Sequence, residues 1–145
     1  MHKLPKMDFL LKLLVLNILI VCNAYPHGEN IPGPHQGFIR MPGGFHTELL
    51  VTANNVIWVY LLDVEFKDPV VKSSSVAGVY KNKAKEVKFE CSPEQDRFRC
   101  DLAKELDLTV GEINLKTKRL GMPAGLAVYK LPLTRPMAKS NPVHP

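Results

Sequence analysis

The chain is poor in cysteine and tryptophan, with three of the first and one of the second in 145 residues. No two cysteines stand in CxxC spacing, which removes a thioredoxin-like redox motif and the usual zinc knuckle. Also missing are a nucleophile elbow, a phosphate-cradling glycine loop and an HExxH pair, and no enzymatic activity is expected. No internal repeat stands out. The basic residues are not gathered into a block: Lys81, Lys83, Lys85 and Lys88 alternate with small or apolar residues. Such a ladder reads as the solvated face of a strand and discourages edge-to-edge pairing. Nucleic-acid binding asks for a basic patch interleaved with aromatics, and none is present.

Long apolar runs are scarce near the start. Leu13 to Cys22, broken only by Asn17, follows Lys3, Lys6 and Lys12 and ends at Cys22-Asn23-Ala24. This is the layout of a secretory signal over residues 1–24, too short for a comfortable membrane span, with cleavage expected after Ala24. Val21 is too large to precede a lipidated cysteine. Taking Lys3, Lys6, Lys12 and Asp8 from the 19 basic and 14 acidic residues leaves 16 and 13, a net charge of +3 for residues 25–145. That length suits one domain with a single core and no membrane span once the signal is removed.

Histidine, glycine and proline crowd the stretch that follows. HGENIPGPHQGFIRMPGGFHTE, from His27 to Glu48, holds His27, His35 and His46, two glutamates, three prolines and five of the nine glycines. Imidazole and carboxylate suit zinc, copper(II) and nickel, and glycine and proline let a backbone turn tightly enough to gather such ligands. His46 and Glu48 stand two apart on an expected strand, so both side chains leave the same face, while Phe45, Thr47 and Leu49 leave the other. Pro42-Gly43-Gly44 can fold the strand at 38–41 back on the next, bringing His35 toward His46 or Glu48. His27 lies in the leader and either closes the site or stays in solvent. A plain reading competes with this one, in which the histidines are ordinary surface residues and the glycines and prolines mark a loose arm.

The rest reads as strand. Residues 45–52 alternate, Asn54-Asn55 turn, and 56–64 (VIWVYLLDV) form the central strand, with Trp58 expected in the core. Strands at 76–80, 87–91, 98–102, 112–118 and 126–131 follow, with a helical turn possible over 101–108. Pairing 87–91 with 98–102 as a hairpin sets Cys91 opposite Cys100, and in an oxidising compartment that favours a disulfide. Closing so short a loop contributes on the order of 2–3 kcal/mol. The expectation is therefore an all-β chain, a single Ig-like β-sandwich over 45–133 with a disulfide-stapled hairpin. A His/Gly/Pro-rich segment precedes it at 25–44, and a disordered tail follows at 134–145.

The segment PHGENIPGPHQGFIRMPGGFHTELLV, continued through VIWVYLLD, resembles small periplasmic proteins of Gram-negative bacteria and an N-terminal module of heavy-metal efflux adaptor proteins. Their shared pattern has the form HG…PHGG…G.(F/Y)H.E, then a strand ending in YLLD or similar. The resemblance covers about the first half of the exported chain. It implies a periplasmic β-sandwich that binds copper or zinc as a buffer or carrier, with a metal efflux system or another periplasmic protein as partner. On matching positions it carries over His35, His46 and Glu48, and His27 with them. Gln36 stands where the pattern has glycine, and the coiled-coil hairpin of an efflux adaptor is absent. The alternative from another class is a non-catalytic interaction sandwich whose histidine arm docks on a partner.

Overall fold

The computed structural model describes Glu29 and residues 31–134. The signal segment at 1–24, His27 and the tail beyond Thr134 lie outside the described residues. Eight strands follow in order: β1 (Phe38–Arg40), β2 (His46–Val51), β3 (Val56–Leu62), β4 (Ser75–Lys81), β5 (Glu86–Glu94), β6 (Arg97–Asp101), β7 (Gly111–Lys118) and β8 (Gly125–Leu131). All pairings are antiparallel, and the strands form one hydrogen-bonded order, β1-β2-β3-β6-β5-β4-β7-β8. The all-β class is as expected. The order is a single curling sheet, near a barrel, and does not by itself divide into the two separate sheets of an Ig-like sandwich.

The curl comes from β5. Its first half, Glu86 to Glu90, pairs with β4, and its second half, Cys91 to Glu94, pairs with β6. At the seam β1 and β8 come into contact, and the Arg40 guanidinium donates Nε to the carbonyl of Val128 at 2.9 Å. Across the interior the buried Tyr129 hydroxyl of β8 donates to the Thr47 carbonyl of β2 at 3.0 Å, and burial pushes that hydroxyl's pKa up. Among the described residues no helix is long and apolar enough to cross a membrane.

Strict alternation builds the core. Phe45, Leu49, Ile57, Val59, Leu61, Tyr80, Phe98, Ile113, Leu115 and Tyr129 point inward and are buried together. Cys91 and Cys100 are direct cross-strand partners and form the disulfide. Between β2 and β3, Asn54 and Asn55 take left-handed φ of 62° and 58°, which asparagine tolerates better than most residues.

Two sequence expectations are corrected and a third is narrowed. Trp58 is not in the main core: alternation sends Ile57 and Val59 inward and Trp58 outward, where Arg97 and Arg99 cover its ring at 3.8 and 5.6 Å. Residues 101–108 form no regular helix but a turn, closed by the Leu106 N–H on the Ala103 carbonyl at 3.0 Å, and the Asn55 carboxamide donates to the carbonyls of Ala103, Lys104 and Leu106. The lysine ladder is not one strand face, since Lys83 and Lys85 sit in the β4–β5 turn. Nor does it guard an edge, since β4 and β5 are interior strands.

Candidate functional site

The outward face of β1, β2 and β3 is also covered, and that is where the histidines lie. Along β2 the outward residues are His46, Glu48 and Leu50, and across from them on β3 stand Leu62, Tyr60 and Trp58. Ile39, Tyr60 and Leu62 form a second, small buried cluster with Leu50, Trp58 and Phe66 packed against it. Two loops lie over this face, residues 31–37 from one side and 63–68 from the other. Both faces of β2 are therefore dry, and His46 and Glu48 are buried polar residues that need partners.

Glu48 is fully buried and finds three donors. Its Oε1 accepts the backbone N–H of His35 and of Gly37, each at 2.8 Å, and its Oε2 accepts His35 Nδ1 at 2.7 Å. The loop can wrap the carboxylate because Pro34 sits one residue into a turn closed by Gln36 N–H to Gly33 carbonyl at 2.9 Å. Close approach also requires glycine: a Cβ on Gly33 would run into the Glu48 carboxyl group, and one on Gly37 into its Cγ.

Gln36 takes a φ of +65°, the left-handed region, which gives a steric reason for glycine at that place in the motif. Gln36→Gly trades relief of the left-handed penalty against glycine's larger chain entropy and the loss of the glutamine's own contacts, and is expected to leave stability within about 1 kcal/mol of the parent, read by urea denaturation.

His35 is held at edge and face. Besides its bond to Glu48, its ring lies flat on Tyr60, centroids 3.7 Å apart and planes within 6°, while about a third of the side chain (32%) remains exposed. Tyr60 is itself fixed by Arg97, whose Nη1 donates to the phenol oxygen at 3.0 Å. A carboxylate only accepts, so the neutral His35 ring carries its proton on Nδ1 and presents Nε2 as a lone pair.

His46 is 3% exposed and held in a parallel way. Its Nδ1 lies 3.0 Å from the Asp63 carbonyl, and its ring stacks on Phe66 with centroids 4.1 Å apart. A carbonyl also only accepts, so Nδ1 again carries the proton. In the neutral ring Nε2 of His46 is then a buried lone pair, and among the described residues it has no hydrogen-bond partner. The Asp63 carboxyl is held below its usual 3.8, first by the backbone N–H of Lys67 and then by that of Glu65, against a desolvation cost.

The structure thus brings His35 and Glu48 together and sets His46 two residues along the same face. Both carboxylate oxygens of Glu48 accept hydrogen bonds from the 33–37 loop, and through Oε2 the residue orients the His35 ring. Among the described residues no three His, Cys, Asp or Glu side chains converge as a metal cluster. Sequence reasoning missed Tyr60, Asp63 and Phe66. The one available signal was Phe66, an aromatic isolated among the acidic and basic residues of the loop after β3.

Neither a family model, nor a curated protein, nor a solved structure matches this chain.

Proposed function

We propose that this is an exported transition-metal-binding domain in which Nε2 of His46 and Nε2 of His35 are the donors and Glu48 fixes the His35 ring. The observation that carries the reading is the His46 imidazole: Nδ1 tied to a carbonyl, and Nε2 buried and, among the described residues, without a hydrogen-bond partner. Metal-ligating histidines characteristically donate their other ring N–H to a carbonyl or carboxylate, which sets the tautomer and raises ligand basicity. His46 has the carbonyl version and His35 the carboxylate version. Two neutral imidazoles suit copper or zinc better than calcium or magnesium. Further donors come from outside this pair, and His27, in the segment leading to Glu29, is the first candidate. By its resemblance to efflux-adaptor modules the domain is read as a periplasmic buffer or carrier in copper or zinc homeostasis, delivering to an efflux system.

The rival reading, a histidine arm that docks on a partner protein, has less in its favour. Residues 33–37 of that arm are already folded onto their own sheet through Glu48 and Tyr60.

The test is calorimetric titration of the chain from Tyr25 with zinc and with copper(II), beside His46→Ala and His35→Ala. One ion per chain with a Kd of about 1 µM or tighter is expected, weakened about a hundredfold by His46→Ala. Weak binding of equal strength in all three proteins would remove the metal reading and return the interaction arm to first place.

A further inference from the structure

The loop Asp63–Asp68 grips His46 at two points. The Asp63 carbonyl that accepts the His46 ring nitrogen also accepts the Phe66 N–H at 3.2 Å, closing the loop on itself. The Phe66 ring covers one face of the imidazole. The conformation is specialised, since Phe66 has a φ of +64°, the left-handed region that a bulky residue adopts only at a cost.

The ends of the loop are pinned to the domain, while its tip is bonded to the loop itself: Asp63 Oδ1 accepts the backbone N–H of Glu65 and of Lys67, each at 2.8 Å, and the Lys67 carbonyl accepts the Asp63 N–H at 2.8 Å. The buried Arg119 guanidinium donates Nε to the Leu61 carbonyl and Nη2 to the Asp68 carbonyl, at 3.2 and 2.8 Å. Val64, Glu65 and Lys67 in between are exposed, so Phe66 is the tip's one substantial apolar contact with the domain. A segment with fixed ends, few buried contacts and backbone strain belongs to the low-stability end of local opening.

We propose that residues 63–68 are a lid on His46, and that Nε2 becomes reachable when Phe66 lifts and the Asp63 carbonyl releases the ring. The entry of a metal ion by this route rests on the reading above; the lid itself does not. Phe66 is a positioning residue here, touching the donor ring and not the metal.

The test uses diethyl pyrocarbonate, which transfers a carbethoxyl group to an unprotonated imidazole nitrogen, with peptide mapping to separate the histidines. Phe66→Gly removes the ring and suits the left-handed φ, and Phe66→Tyr keeps the ring. In the full chain His46 is expected to react about tenfold faster or more in Phe66→Gly than in the parent, with Phe66→Tyr like the parent. His35, partly exposed in the parent, serves as the internal reference and keeps its rate. Stopped-flow mixing with zinc should accelerate in the same variant. An unchanged His46 rate in Phe66→Gly overturns the lid, and so does a rise shared equally by His35, since that reports general loosening. A parent chain that binds no zinc sinks the metal reading alone, because the carbethoxylation rates still decide the lid.

Discussion

Replacing Glu48 by alanine is expected to cost the domain about 3–5 kcal/mol, most of its stability margin, read as a loss of urea midpoint. The magnitude follows from what is left behind. The backbone N–H groups of His35 and Gly37 and the ring N–H of His35 lose their common acceptor in a place with no exposed surface at Glu48. A buried donor without a partner costs roughly 1–3 kcal/mol, and truncation also opens a cavity. The 33–37 loop can lift and solvate those donors, which bounds the loss from above. A change below about 1 kcal/mol would mean that the loop is not held by the carboxylate at all.

Glu48→Gln separates the structural from the chemical part of that role. A glutamine carbonyl can still accept the two backbone N–H groups, so much of the stability remains. Its NH2 then faces His35 Nδ1 and can only donate, which forces the ring proton onto Nε2. His35 thereby loses the lone pair proposed to face the metal although the fold is intact. A folded Glu48→Gln protein with weakened metal binding is thus the signature of a positioning carboxylate. Undiminished affinity would leave His46 to act without His35.

How much of this was legible in the sequence depends on range. Strand alternation is a period-two signal within a few residues, and it located the later strands to within one to three residues and set His46 and Glu48 on one face. The Cys91–Cys100 register was readable because a hairpin is local. Trp58 was misjudged because alternation gives two faces without saying which one the main core takes, and here the outward face is covered as well. The strand order, with β6 between β3 and β5, is long-range pairing that no local pattern carries. The site shows the same division. His35, Gly37 and Glu48 stand out as a spaced motif, but the motif does not say that the carboxylate accepts three hydrogen bonds from the 33–37 loop. The grip of residues 63–68 on His46 depends on a left-handed Phe66, which residue identity argues against.

The staple should matter next after Glu48. Reducing Cys91–Cys100 releases a loop closed over a sequence separation of 9, worth about 2.5–3 kcal/mol in the chain-entropy model. For a domain of this size that corresponds to a fall in Tm of roughly 10–20 °C, measured with and without reductant by circular dichroism. Its position adds a structural consequence. Cys91 is the residue at which β5 leaves β4 and takes up β6, so the bond fixes the hand-over that curls the sheet. If the loss is chiefly a matter of the unfolded chain, the urea m-value should rise on reduction as that chain expands. If the hand-over itself loosens, amide exchange should quicken in Glu90 to Glu94 while β2 and β3 stay protected. In either case the proposed metal donors are carried by β2 and the 33–37 loop and gripped by the 63–68 loop, and in the sheet β3 separates β2 from the disulfide-bearing β6. Reduced but folded protein is therefore expected to keep its metal affinity, and a parallel loss of both would tie the donors to the curl of the sheet.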